Sequence, residues 1–474
     1  MAGAGAGPPP PPSRSRVADP LTNRPDHLGD AISAWHDALT PELAAESSGW
    51  LTEQLRMRGL FFGDRPLCTV LRPRFLTPAQ YDMLRARIAV LLGAFDTALV
   101  AALAEPALLD QFRLMDWERT LALENPRMPA SPVSRLDAFF DPDDGRPRFT
   151  EYNAETPAGS AYNDALTELF LAIPAARPFL RSHALRPLPA APNVLHALLS
   201  TYAQWSGRRE LPVIGILDWK DVPTYSEFVL YQRYFESMGL RCVIADVRDC
   251  ELTGGKLVAG GTPIDLIYKR VLIHELIGEG GLDHPIVRAV RTGAVCMVNP
   301  FRCKVLHKKA SLAVLSDERN AGLFNDTERQ VIAEHIPWTR VVEERKTLVQ
   351  GNPVDLLPWM AANRERLVLK PNDDYGGAGI VLGWEVDDEA WSAALRKALA
   401  EPFIVQERIG LPSEIFPSYA DGQLHFAGRI VDTAPFVFGG AYADGCLTRV
   451  STATLVNVTA GGGSTVPTFV VEKR

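Results

Sequence analysis

A chain of 474 residues has room for two to four domains of about 100–200 residues each, and its apolar share of 46% with a charged share of 22% excludes the fibrous and disordered classes. The formal net charge of −8 excludes a protein built mainly to bind nucleic acid, so an anionic ligand has to meet local cations. Cys68, Cys242, Cys250, Cys296, Cys303 and Cys446 stand without C-x-x-C spacing, which argues against a zinc site and for thiols in a reducing compartment, taken here as the cytoplasm.

The opening stretch 1–20, MAGAGAGPPPPPSRSRVADP, reads as a flexible tail without the apolar core of a signal peptide. Residues 28–125 are mostly helical in pattern. Thr77 and Pro78 suit the cap and first turn of a helix in which Tyr81, Leu84, Ile88, Leu91, Leu92, Phe95 and Leu99 recur at three- and four-residue spacing. The most apolar run, 88–104, is interrupted by Gly93, Asp96 and Thr97 and is short for a membrane span.

Residues 135–153, RLDAFFDPDDGRPRFTEYN, predict a β-hairpin: two stretches rich in aromatic and branched residues flank a dense cluster of turn formers. Side chains alternate along a strand, so Arg135 and Asp137 share one face of the first strand and Glu151 and Asn153 one face of the second. Symmetry about Asp144 sets Asp137 opposite Glu151 and Arg135 opposite Asn153. Opposed carboxylates destabilise a sheet unless a cation lies between them, and Asp, Glu and Asn oxygens suit Mg²⁺. The competing reading is a solvated acidic face with Arg135 in a surface ion pair.

A tight loop, AETPAG, leads from the hairpin into a helix expected at 162–172, and a Pro-rich connector spans 184–192. From 211 onward, strands at 213–218, 242–247 and 265–271 with a helix at 225–238 predict a βαβ unit and a small, largely parallel sheet. Ligands of such sheets lie at strand C-terminal ends, which makes Asp218, Trp219, Lys220, Lys269 and Arg270 substrate-side candidates; strand ends are also charged merely because they reach water. A helix is expected at 308–315. LVLK (367–370) then reads as a strand delivering Lys370, YGGAG (375–379) as a glycine turn, and 380–386 as the returning strand. Backbone N–H groups of such a turn can close over a polyphosphate while the lysine meets its charge; alternatively it is only a turn. Residues 403–409 read as a strand with Gln406 and Glu407 at its end, and 428–432, 445–451 and 455–459 as antiparallel strands before the glycines at 461–463. His274-Glu275 begins an H-E-x-x-H but has Gly278 at the second histidine, and no Walker A loop, dinucleotide fingerprint or G-x-S-x-G elbow occurs.

Taken in order, RLD, TEYNAETPAG, KKASLAVLSD, VLKPNDDYGGAG, VQERI, CLTRVS and NVTAGGGS resemble the circularly permuted ATP-grasp proteins typified by the synthetase domain of glutathionylspermidine synthase, over about residues 134–465. The resemblance implies an α/β (α+β) ATP-grasp fold. The metal carboxylates would precede the nucleotide-binding strands, as permutation requires. An N-terminal helical region plus hairpin would occupy 21–200, a small parallel-sheet domain on the substrate side 201–298, and the nucleotide-binding region 299–474. Asp137, Glu151 and Asn153 would hold Mg²⁺, with Arg135 beside them on the transferring phosphoryl group. Lys309, with Lys304 as its rival, and Lys370 would meet the phosphates of ATP. The loop formed by Tyr375, Gly376, Gly377 and Gly379 would cover the triphosphate, Gln406 and Glu407 would form the adenine-side hinge, and Arg449 would approach the acyl phosphate or substrate. The implied activity is ligation of a small-molecule carboxylate and amine with ADP formation, with no nucleic-acid or membrane partner. A phosphotransferase of the same fold and a nucleotide-binding protein without turnover are the alternatives. The chain lacks room for the amidase domain of the bifunctional enzymes, so the reaction class carries over without the substrates.

Overall fold

The structure is a computed structural model and describes residues 27–374, 376–454 and 463–474. The tail at 1–20, Tyr375 and the strand expected at 455–459 lie outside these residues. Among them, three sheets position the site.

The largest sheet has nine strands and joins distant parts of the chain. Its main path runs Ser413–Ala420, Gln423–Val431, Tyr442–Ser451, Ala434–Phe438, Val133–Phe140 and Pro147–Asn153. The expected hairpin is therefore present, and one of its strands is hydrogen-bonded on its other edge to a strand three hundred residues later, with Phe436 opposite Arg135. The register matches the expectation: Arg135 lies opposite Asn153 and Asp137 opposite Glu151. A bulge next to Asp137 then shifts the pairing so that Ala138 faces Phe149. Such a bulge re-aims neighbouring side chains, and here it follows the two opposed carboxylates.

Alternation divides the hairpin's faces. Leu136, Ala138, Phe140, Phe149 and Tyr152 turn into a core shared with the helix Pro78–Ala104. Arg135, Asp137, Glu151 and Asn153 project from the other side. Thr77 caps that helix through a box with Gln80, and all seven residues of its expected apolar face are buried. Each such Leu, Ile or Phe contributes about 1.5–3 kcal/mol when fully buried. The helix starts at Pro78 under the Thr77 cap, as expected. It continues through the apolar run to 27 residues and is, among the described residues, the one long and apolar enough to cross a membrane.

The parallel sheet is as expected. Cys296–Val298, Leu266–Lys269, Ile214–Asp218 and Cys242–Asp246 lie side by side in that order, all parallel, with the helix Tyr225–Ser237 between the last two in sequence. The third sheet is antiparallel, in the order Thr339–Val341, Phe403–Glu407, Leu367–Pro371 and Val381–Leu382.

Four local expectations are corrected. The helix expected at 308–315 starts two residues late, as Ala310–Ser316, because Lys308 is non-helical and separates it from a further short helix, Cys303–His307, while the two lysines at the break reach different partners. Half of the Pro-rich connector is a strand, His183–Pro187, antiparallel to Ser464–Lys473, with its prolines confined to the strand's end and beyond. The strand after the glycine turn is only Val381–Leu382, since Gly383 turns tightly against the backbone of Arg364 and Leu367, leaving no space for a Cβ. Strand Phe403–Glu407 stops two residues early.

Candidate functional site

Arg135 grips Asp137 with two hydrogen bonds, Nε to Oδ1 at 2.7 Å and Nη2 to Oδ2 at 2.9 Å, and donates a third to the Ala158 carbonyl at 2.8 Å. Arg449, from strand Tyr442–Ser451, adds a bond to Asp137 Oδ2 at 2.8 Å. Burial pushes the Asp137 carboxyl up, but the two guanidinium groups outweigh it and hold the group down at about 2. Arg449 is itself fixed by Asp432 through Nε. Asp432 is fully buried, and sequence reasoning missed it as a site residue. It lies in the two-residue gap between the strands Gln423–Val431 and Ala434–Phe438.

Across the hairpin, Lys309 Nζ lies 2.7 Å from Glu151 Oε1 and donates to the Asp374 carbonyl at 2.6 Å, at the root of the glycine turn. Burial raises the Glu151 carboxyl, and Lys309 draws it below its ordinary value. Lys370 Nζ donates to Gln406 Oε1 at 2.7 Å and to the Thr150 carbonyl at 3.3 Å. Lys309 and Lys370 thus approach adjacent residues of one hairpin strand. Asn153 Nδ2 is buried without a hydrogen-bond partner, an amide left for a group yet to bind.

Burial drives the Lys370 ammonium down to about 8, against its usual 10.5. A lysine whose folded value is lowered destabilises the fold below about pH 8, because the unfolded chain binds the proton more readily. That cost is relieved as pH rises through the window from 8 to 10.5. The nucleotide-free protein should therefore gain up to about 3 kcal/mol across that window relative to Lys370→Met, read from urea denaturation at each pH. Parallel stability curves for the two proteins would refute the assignment.

The glycine turn joins two antiparallel strands, with Val368 opposite Leu382. Gly376, Gly377 and Gly379 all have positive φ, and a Cβ on Gly379 would meet Pro371 Cγ at 2.7 Å. Gln406 and Glu407 face opposite sides of their strand. Gln406 is buried and bridges Lys370 to Thr339 Oγ1, 3.0 Å away. Glu407 instead lines a cavity of about 790 Å³ with Arg148, Leu315, Ile332, Ile336 and Trp338. The cavity and the carboxylate pair are joined by the strand Pro147–Asn153, which supplies Arg148 to one and Glu151 to the other.

A second buried cluster was not anticipated. Lys304 Nζ lies 2.8 Å from both Glu155 Oε2 and Asp373 Oδ1, and Lys308 bridges Asp373 at 2.9 Å to Glu118 at 2.7 Å. Glu155, His307 and Asp373 place ligand atoms within 4.8 Å of one another. The Lys304 ammonium already occupies the place of a cation there, and burial holds His307 down at about 4. The geometry therefore separates the two rival lysines: Lys309 reaches the hairpin face, Lys304 the loop behind it. The parallel-sheet candidates serve that loop too. Arg270 donates to the Pro157 carbonyl at 2.7 Å, and Lys269 lies 3.5 Å from Glu155. Asp218 lies at its strand end, pushed up to about 6 by burial.

The fold is similar to that of a glutathione synthetase-like effector from Globodera pallida, which superposes with a TM-score of 0.60 over 91% of this chain and 98% of its own, at 12% identity. Among curated proteins, a putative glutamate–cysteine ligase 2-3 of Frankia alni is 27% identical over 213 residues, which are 42% of this chain and 23% of that protein. An uncharacterized protein of Mycobacterium leprae is 27% identical over 356 residues, 70% of this chain and 58% of its own length. The chain thus spans less than two thirds of these relatives. No family model matches it.

Proposed function

We propose that the chain is an Mg-ATP-dependent ligase that joins a carboxylate to an amine through an acyl phosphate, on a circularly permuted ATP-grasp frame. The observation that carries this reading is the convergence of Lys309 and Lys370 on the strand bearing Glu151, opposite Asp137. The ligase name of the Frankia alni relative supports it. In this reading residues 299–474 form the nucleotide-binding region and the parallel sheet within 201–298 the substrate side.

Asp137, Glu151 and Asn153 offer hard oxygen ligands that fit Mg²⁺, and the unpartnered Asn153 Nδ2 is an N–H donor suited to a phosphate oxygen. The ion's contribution when bound is neutralisation of phosphate charge. Lys309 and Lys370 bind the phosphates, the cavity beside Glu407 receives the nucleoside, and Gln406 orients Lys370. Arg135 and Arg449 are aimed to take the equatorial oxygens of the transferring phosphoryl group, where charge accumulates. The substrate carboxylate attacks the γ-phosphorus and ADP departs; the amine then attacks the acyl carbon and phosphate departs. The glycine turn at 376–379 keeps water from the acyl phosphate.

The test is product analysis with ATP, Mg²⁺ and panels of amino-acid carboxylates and amines. ADP and free phosphate are expected in equal amounts, and only when both substrate types are present. A stable phosphorylated product formed without an amine would make the protein a phosphotransferase, and nucleotide binding without ADP would make it a protein of binding alone.

A further inference from the structure

The oxygens that would grip a metal ion already hold cations of the chain's own. Both oxygens of Asp137 are engaged by Arg135, and Oδ2 also by Arg449; Glu151 Oε1 holds Lys309. Within this group Asp137, Glu151 and Asp432 face Arg135, Arg449, Lys309 and Lys370, which leaves one positive charge in excess. A free divalent cation entering here has to displace an ammonium or guanidinium group against a positive field. A triphosphate reverses this, because its oxygens give the cations new partners and release the carboxylates.

The four cations are not equally free to move. Arg135 is bidentate on Asp137 and tied to Ala158, and Arg449 is tied to Asp432. Lys370 is held by Gln406 and Thr150. Lys309 has a single carboxylate partner and stands at the break between two short helices, its second bond made to the root of the glycine turn. We propose that Lys309 determines the ligand specificity of the metal site. Seated on Glu151 in the nucleotide-free protein, it excludes free divalent cations; it transfers to phosphate when nucleotide arrives, so that the metal enters only as part of a metal–nucleotide complex. This rests on the proposed nucleotide site.

The experiment is Mn²⁺ binding to the intact chain followed by electron paramagnetic resonance, with and without a non-hydrolysable ATP analogue. In the wild-type protein the analogue should tighten Mn²⁺ binding about tenfold or more, and by linkage Mn²⁺ should tighten analogue binding by the same factor. Lys309→Met keeps the buried stem and removes the charge, and should bind Mn²⁺ without nucleotide about tenfold more tightly than wild type. Glu151→Gln should lose Mn²⁺ binding in both conditions. The inference is overturned if the wild-type protein binds the analogue but binds Mn²⁺ equally with and without it, a result that leaves the nucleotide site standing. It is also overturned if folded Lys309→Met shows unchanged nucleotide-free affinity. Failure of the analogue to bind at all removes the nucleotide site and this inference with it.

Discussion

Glu151→Gln should lower the maximal rate of ATP turnover by about 10²–10³-fold, the scale on which removal of one charge-stabilising group from a transition state is felt. The fold should stand. Glu151 is 26% exposed, and its partner Lys309 keeps a bond to the Asp374 carbonyl, so the stability cost is on the order of 1 kcal/mol. Asp137 is the less informative target. Its removal takes the ion-pair partner from buried Arg135 and one of two carboxylates from the part-buried Arg449, and breaking a buried pair costs about 3–5 kcal/mol. Lost activity in Asp137→Ala therefore mixes chemistry with unfolding, whereas in Glu151→Gln a normal melting curve with absent turnover isolates the chemistry. Full turnover in that variant would remove Glu151 from the metal set.

Lys370→Met should weaken ATP binding about 10- to 100-fold, measured by calorimetry at pH 7, since a hydrogen bond to a charged group is worth about 1.5–3 kcal/mol. The same substitution should stabilise the nucleotide-free protein, because it removes an ammonium whose proton burial disfavours. Opposite signs for binding and stability mark a group placed for its ligand at the expense of the fold. A variant that binds ATP as wild type does would exclude Lys370 from the site.

The hairpin was legible because its information is local. Period-two alternation and a turn-forming cluster centred on Asp144 define which residues oppose each other, and the pairing of Asp137 with Glu151 follows without knowledge of the rest of the chain. The parallel sheet and the capped helix at Pro78–Ala104 were legible for the same reason. The lysine cluster was not. Lys304 and Glu155 are 149 residues apart, no periodicity links them, and lysine is ordinarily a surface residue, so burial of Lys304, Lys308 and Lys309 in one region runs against composition-based expectation. Two expected helical lysines became a hinge between short helices because Asp373 and Glu151 draw them in different directions. Gln406 and Glu407 were expected as a pair, yet strand alternation, applied to them as it was to the hairpin, sends them to opposite faces.

The pairing of Val133–Phe140 with Ala434–Phe438 has a consequence for biosynthesis. At roughly 5–20 residues per second on the ribosome, the hairpin's inner edge waits about 15–60 s for its neighbour to be made. The parallel sheet draws all its strands from one continuous stretch and can assemble meanwhile. During the wait the hairpin presents an open edge, the kind of surface on which strange chains add strands. Arg135 and Asp137 stand on that edge strand, and a like strand stacking on it would have to bury their charges. Charged side chains on an open edge strand are among the devices that discourage such additions.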